Sequence, residues 1–318
     1  MHPVKCEHLT FFMLHNSNIL ITGGTGSLGT ALTRRILNDY TPRKLIIFSR
    51  CEYKQAMMAQ EFADYDNIRF FLGDVREKNR LLYVFDGVDY VIHAAALKRI
   101  PALEYNPTEA IKTNINGSLN VVEAAMECGV KRAILISTDK AAAPITLYGA
   151  TKLAAEKLFL AANSFEKTDF LCVRYGNVLA SRGSVIELFL KLKEKGEKFF
   201  PITDRRMTRF WLTLRQAVEL VLIALEKGQR NSVLVPKLPS MSITQVARAI
   251  QPECIFNFVG IRATEKLHET LIVKGEQNIF IVDLETKAII PYESKKSYSS
   301  CPNKYWLSKN DFRKLLNG

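Results

Sequence analysis

No apolar run in the 318-residue chain approaches the roughly 20 residues that a membrane-spanning helix requires. An integral membrane protein is therefore not expected. The opening stretch, MHPVKCEHLTFFMLHNSN, lacks the basic start, long apolar middle and small-residue cleavage site of a secretion signal, so residues 1–17 read as an N-terminal extension. The six cysteines are widely spaced and contain no C-x-x-C. That excludes a disulfide framework or zinc ribbon and fits a reducing cytoplasm. Cys6-Glu-His8 offers only a weak ligand pair, and no metal is expected. Lysine and arginine total 44 against 32 acids, a formal charge of +12, yet no basic tract or finger pattern appears. Anionic small molecules account for such scattered cations better than nucleic acid does. Internal repeats and low-complexity tracts are also missing.

What is present is alternation. Apolar runs of strand length occur at Asn18–Thr22, Lys44–Ser49, Ile68–Leu72, Tyr90–His93, Arg132–Ser137 and Phe170–Arg174. Stretches with helical spacing lie between and beside them, including Leu28–Leu37, Ala110–Cys128 and Ala150–Ala162. Runs such as KLIIFS and RAILIS do not alternate apolar with polar, which suits strands covered on both faces. The pattern predicts an α/β fold, a Rossmann-like doubly wound parallel sheet. After Tyr175 the rhythm loosens, and helices at Leu214–Glu226, Ile243–Ile250 and near Lys309–Leu316 remain. The expected division is a cofactor domain over 18–178, with returning segments from 207–236, and a smaller C-terminal substrate-binding domain over 179–318.

NILITGGTGSLGTALTRRIL places Gly23, Gly26 and Gly29 between a strand and a helix. Glycines there permit the tight turn, backbone approach to a pyrophosphate and close helix packing, while the helix N-terminus faces the phosphates. The turn residues Thr25, Ser27 and Leu28 belong to the same cradle. After the second strand the chain reads Arg50-Cys51-Glu52-Tyr53-Lys54-Gln55. Arg50 and Lys54 suit a 2′-phosphate, so NADP is favoured over NAD although Glu52 is close. Asp74 and Val75, after the third strand, would bracket the adenine. Ala94 offers a small side chain where the dinucleotide crosses the fourth strand, and His93 reads as a packed histidine.

STDKAAAPITLYGATK carries Tyr148 and Lys152 four residues apart, on one helix face, with Pro144 just before the helix. A lysine ammonium beside the phenol is expected to favour phenolate and make Tyr148 a base. Placed after the fifth strand of a nucleotide-binding sheet, the pair resembles the extended short-chain dehydrogenase/reductase superfamily, with Thr138 as the usual hydroxyl partner. The strand ends Thr138-Asp139-Lys140, where retaining 4,6-dehydratases end Thr-Asp-Glu. With SRCEYKQ, IHAAALKRIPALEYNP, RYGNVLASRGSV, PITDRRMTRFW and VGIRATEKLHE, the chain resembles the inverting UDP-N-acetylglucosamine 4,6-dehydratases that open pseudaminic acid synthesis and serve some capsule pathways.

That resemblance implies a cytoplasmic NADP-dependent lyase, a homo-oligomer (dimer or hexamer), acting on UDP-N-acetylglucosamine. Tyr148, Lys152 and Thr138 would oxidise C4, Lys140 would remove the C5 proton and Asp139 would protonate the departing C6 hydroxyl. To serve as a base, Lys140 would need its pKa lowered by burial and nearby positive charge. Lys98 would reach the cofactor and the sugar phosphate, and Val178, Leu179, Ala180, Ser181 and Arg182 would line the cofactor boundary. Asn177, Thr203, Arg205, Arg209, Arg262 and Glu265 would contact substrate. Cys51 stands where the family usually has Asp, and Ala263-Thr264 replaces a usual Pro-Gly. A UDP-sugar 4-epimerase would share Tyr148 and Lys152 without needing Asp139 and Lys140, and a non-catalytic NADP-binding regulator could dispense with the Tyr148–Lys152 pair, which this chain keeps.

Overall fold

Apolar runs without alternation become strands sandwiched between helices. In the computed structural model, which describes residues 12–179 and 184–317, these are β1 (Asn18–Thr22), β2 (Lys44–Ser49), β3 (Ile68–Leu72), β4 (Tyr90–His93), β5 (Arg132–Ile136) and β6 (Asp169–Val173). All five residues of β1 are buried. The shorter strands are β7 (Asn177–Val178), β8 (Phe199–Ile202), β9 (Thr208–Leu212), β10 (Val233–Pro236), β11 (Ser240–Ser242), β12 (Ile255–Phe258), β13 (Thr270–Ile272), β14 (Ile279–Val282), β15 (Ile289–Pro291) and β16 (Tyr298–Ser299).

The main sheet has nine strands in the order β15-β14-β10-β6-β5-β4-β1-β2-β3. All neighbours are parallel except the antiparallel edge strand β15. Strand order reverses at β1, so a crevice opens beyond the carboxyl ends of β1 and β4. Of the expected returning segment 207–236, β10 joins this sheet beside β6 while β9 pairs outside it, and β14 and β15 extend the sheet further. Helix Leu214–Lys227 covers β5 and β6. It starts from a capping box in which Thr213 and Gln216 exchange side-chain and backbone bonds.

A second apolar cluster, including Phe189, Phe200, Trp211, Met241 and Phe312, forms the smaller lobe. There β7 lies beside β9, setting Asn177 opposite Trp211. Successive residues of a strand face opposite ways, so Arg209 and Trp211 share one side of β9. Both line the cavity between the lobes.

The expected helix Ala110–Cys128 is interrupted by a wide π turn at Ile111–Asn116 before resuming at Gly117. Within that turn Asn114 is buried and grips the loop after β4. Its carbonyl accepts from Leu97 N at 2.8 Å, and its amide donates to Leu97 O at 2.9 Å and Thr151 Oγ1 at 3.0 Å. Hydrophobic periodicity carries no signal for this clamp, which joins the β4 loop to the helix of Tyr148.

Candidate active site

The glycine turn after β1 is shaped for close approach. Gly23 adopts φ +66°, and a Cβ there would lie 2.7 Å from Ala95 N. Gly26 caps helix Ser27–Asp39 without a side-chain acceptor, and the first turn holds no acid. The helix N–H groups are thus left for an external anion. Cys51 opens helix Glu52–Glu61 in extended conformation. Arg50, about half exposed, lies 3.5 Å from Asp74. Arg76 also holds Asp74, and together these cations lower its carboxyl despite burial. Tyr53 and Lys54 are exposed. Gln55 instead turns inward and donates to Ser49 O, Ser49 Oγ and Phe71 O. Val75 is buried, and its carbonyl accepts from Asn120. Leu179 packs into the second apolar cluster, and Ala180, Ser181 and Arg182 lie outside the described residues.

His93 is fully buried between Thr22 Oγ1 at 2.7 Å and Ser118 Oγ at 3.0 Å. Burial, reinforced by Lys152, pushes its pKa down to about 3. It is a neutral structural histidine.

At the end of β5 the chain makes a short 3-10 turn, Asp139–Ala141, capped by Thr138 Oγ1, which accepts from Lys140 N. Asp139 N donates to Tyr175 O at 2.9 Å, holding the turn against the segment after β6. The helix of Tyr148 and Lys152 spans Leu147–Ala161 and is capped by Thr146, so Pro144 stands three residues ahead of its first turn. A Cβ on Gly149 would collide with Lys140 O. That contact packs the helix start directly against the Asp139–Ala141 turn.

Within the turn Asp139 is fully buried, and its Oδ1 accepts from Thr138 Oγ1 at 3.0 Å and Lys140 Nζ at 2.9 Å. Its Oδ2 is buried without a hydrogen-bond partner. Lys140 Nζ also donates to Asn177 Oδ1 at 3.3 Å and lies 3.8 Å from Glu269 Oε1. These contacts reverse the expected direction of the lysine's titration. Burial works against its charge, but Asp139 and Glu269 outweigh burial and hold Lys140 above the ordinary lysine value.

The Tyr148–Lys152 pair also departs from expectation. Burial is the main influence on the phenol and raises it, as does Asp139. Lys140 and a hydrogen bond with Thr138 oppose them. The cation acting on the phenol is thus Lys140, while burial lowers Lys152 to about 8 against the pull of Glu156. A buried ammonium of this kind weakens the fold. Below pH 8 both folded and unfolded chains keep the proton and the full penalty applies. Between about 8 and 10.5 the unfolded chain holds more proton, so stability attributable to this group rises with pH. Lys152→Met is expected to abolish turnover yet stabilise the protein at pH 7 by about 1–3 kcal/mol. Urea denaturation at pH 7 and pH 10 checks this: the gain must shrink at the higher pH.

A cavity of about 720 Å³ lies in front of the turn. Lys98, Lys140, Asn177, Thr203, Arg209 and Glu265 all stand on its wall, six positions assigned to substrate by resemblance. Arg205 does not join them: it stacks over Phe258 at 5.2 Å in a separate concavity with Arg248. The Arg262 side chain is 71% exposed and lies 3.8 Å from Glu265. Glu269 is a site residue that the motifs do not reveal. It is buried, lines the cavity, and sits near Lys140, Arg209 and Lys266. It ends the quoted VGIRATEKLHE segment, but spacing alone assigns it no contact. Among the described residues no group of acids, histidines and cysteines is arranged to hold a metal, and no helix is long and apolar enough to cross a membrane.

The chain is similar to known proteins over most of its length. A family model described as polysaccharide biosynthesis protein matches residues 19–288. An inverting UDP-N-acetylglucosamine 4,6-dehydratase from Campylobacter jejuni subsp. jejuni serotype O:23/36 (strain 81-176) is 46% identical, over 96% of this chain and 98% of that protein. The chain belongs to this family. A second family relative, named UDP-glucose 4-epimerase, from Rickettsia bellii (strain RML369-C), is 43% identical over 89% of this chain and 85% of its own length. The X-ray structure of Pen from Bacillus thuringiensis superposes with a TM-score of 0.84 at 33% identity, covering 96% of this chain and 98% of that one. The family fold is thus the Rossmann-type sheet with a smaller lobe described above.

Proposed function

We propose that the protein is an inverting UDP-N-acetylglucosamine 4,6-dehydratase that uses NADP, a hydro-lyase opening pseudaminic acid or related surface-glycan synthesis. The observation that carries this reading is the contact of Lys140 Nζ, a residue of the cavity wall, with Asp139 Oδ1 at 2.9 Å, the same lysine being the cation that acts on the Tyr148 phenol. A 4-epimerase needs the tyrosine and lysine but has no use for an acid–base pair at the end of β5.

The uncapped helix after Gly26 and the half-exposed Arg50 would hold the pyrophosphate and the 2′-phosphate of NADP. When bound, the nicotinamide supplies reversible storage of the C4 hydride, so the net redox change is zero. Tyr148 takes the O4 proton, aided by the hydrogen bond with Thr138 and the charge of Lys140. A 4-ketone makes the C5 proton acidic. In the resting pair Lys140 is an ammonium, and moving one proton across 2.9 Å to Asp139 yields a neutral amine and a carboxylic acid together. The amine removes the C5 proton, the C–H electron pair forms the C5–C6 double bond, and the C6 hydroxyl leaves as water with the proton from Asp139. The ion pair is thereby restored, and with the hydride returned to C6 and a proton added to the opposite face of C5 the product would carry a methyl group and an inverted C5. Because Asp139 lies behind Lys140 rather than on the cavity wall, its proton reaches the hydroxyl through Lys140, which passes one proton on as it takes that of Asp139.

The test is NMR of the product formed from UDP-N-acetylglucosamine with NADP. A C6 methyl, a 4-keto group, solvent deuterium at C5 and inverted C5 configuration are expected. A 4-hydroxyl epimer without a methyl group would overturn the assignment in favour of an epimerase. Saturable cofactor binding with no turnover of any nucleotide sugar would instead favour a regulator.

A further inference from the structure

Glu269 lines the cavity, yet its carboxylate makes no ion pair shorter than 3.7 Å. Its backbone is pinned just ahead of β13: Glu269 N donates to Ser300 Oγ at 2.9 Å, and Glu269 O accepts from Ser300 N at 2.8 Å and Ser299 Oγ at 3.1 Å. Ser300 Oγ is tied in turn to Thr208 at the start of β9. The side chain projects into a ring of cations: Lys140 at 3.8 Å, Arg209 at 3.7 Å and Lys266 at 4.0 Å. Arg209 and Lys266 already donate to backbone carbonyls, Arg209 to Thr208, Lys266 and Leu267 and Lys266 to Ala142. Glu269 Oε2 is buried with no hydrogen-bond partner. A carboxylate kept for structural pairing would close on one of these cations and satisfy both oxygens. This one stands beside a cavity wall with an acceptor to spare, next to the amine that must take a proton.

We propose that Glu269 is a positioning residue for Lys140, holding its Nζ between Asp139 and the cavity and stabilising the ammonium that forms as the C5 proton arrives. This rests on the reaction proposed above. As the ammonium develops, its three protons require three acceptors. Asp139 Oδ1 and Asn177 Oδ1 provide two, as they do in the resting pair, and Glu269 Oε1, 3.8 Å away at rest, is the carboxylate placed to become the third by closing about 1 Å once substrate fills the cavity. Without it Asp139 is the one carboxylate left to hold the re-formed ammonium, and Asp139 must be free to exchange its proton with the leaving hydroxyl.

The test compares wild type, Glu269→Gln and Glu269→Asp with UDP-N-acetylglucosamine and NADP. In Glu269→Gln, kcat is expected to fall by roughly 10- to 100-fold, the scale of a mispositioned reacting group, with KM changing only a few-fold. Oxidation at C4 precedes the affected step, so reduced nicotinamide should accumulate in a single turnover, a signature that a purely structural defect would not produce. Glu269→Asp keeps the charge one methylene back and should recover part of the rate. Should the glutamine variant fail to fold, the aspartate variant alone must still show a several-fold lower kcat with the same accumulation. Unchanged kcat, or kcat and KM altered together without accumulation, would overturn the role of Glu269. Absence of a 4-keto product from the wild type would overturn the reaction instead, so the two failures remain separate.

Discussion

Lys140→Met should reduce formation of the 4-keto-6-deoxy product by about 10²–10⁴-fold, the usual contribution of a general acid–base group. The methionine retains length and apolar bulk but brings neither proton nor lone pair to the position 2.9 Å from Asp139 Oδ1. Oxidation at C4 relies on Tyr148, so reduced nicotinamide should form in the variant and persist. Deuterium from solvent should not enter C5. The phenol also loses the one cation found to lower its pKa, so the alkaline shift of any residual C4 oxidation is a second readout. Wild-type rates of dehydration in this variant, with substrate still bound, would remove Lys140 from the mechanism.

Replacing Arg174 should produce the largest loss of stability. This arginine follows β6 and is completely buried. It donates to Glu156 at 3.0 and 2.6 Å, to Glu276 at 3.0 and 2.6 Å, and to Leu271 O at 2.8 Å. Burial pushes the Glu276 carboxyl up, and Arg174 more than compensates, leaving it below the usual range. Arg174→Met leaves two inward-facing carboxylates without their partner, for which about 3–5 kcal/mol is the typical penalty. Glu156 lies one turn beyond Lys152 on the same helix and is the main group favouring that lysine's charge. The loss should therefore reach the active site as well as the fold. Urea denaturation measures it. A change under about 1 kcal/mol would mean that the carboxylates find water or become protonated at little expense. Replacing Arg174, Glu156 and Glu276 together with apolar residues should be far milder than the single substitution.

The proposed acid–base turn is legible in the chain alone because its residues are close in sequence. Asp139 and Lys140 are neighbours in sequence, and Tyr148 and Lys152 are one helical turn apart. Their protonation is not legible there. Whether burial or neighbouring charge decides the state of Lys140 depends on Glu269, 129 positions away and delivered by an irregular loop. The same holds for Arg205 and Arg209. Four residues apart in a basic stretch, they read alike, yet one stacks on Phe258 and the other enters the cavity. The outcome follows from the strand: Arg209 lies within β9, whose pleat fixes its direction, whereas Arg205 precedes it.

By itself the sequence determined the strands of the nucleotide-binding half, the glycine turn and the order of reactive groups after β5. Strands buried on both faces must be apolar throughout, and tight turns and shared helix faces are matters of a few bonds. Only the tertiary structure decided that β14 and β15 extend the main sheet, that Asn114 clamps the β4 loop, and that Lys140 rests as an ammonium between two carboxylates. Those outcomes depend on which distant segments meet and how much water they exclude, and electrostatic energy in a buried site is set by that exclusion rather than by the identity of the residues alone.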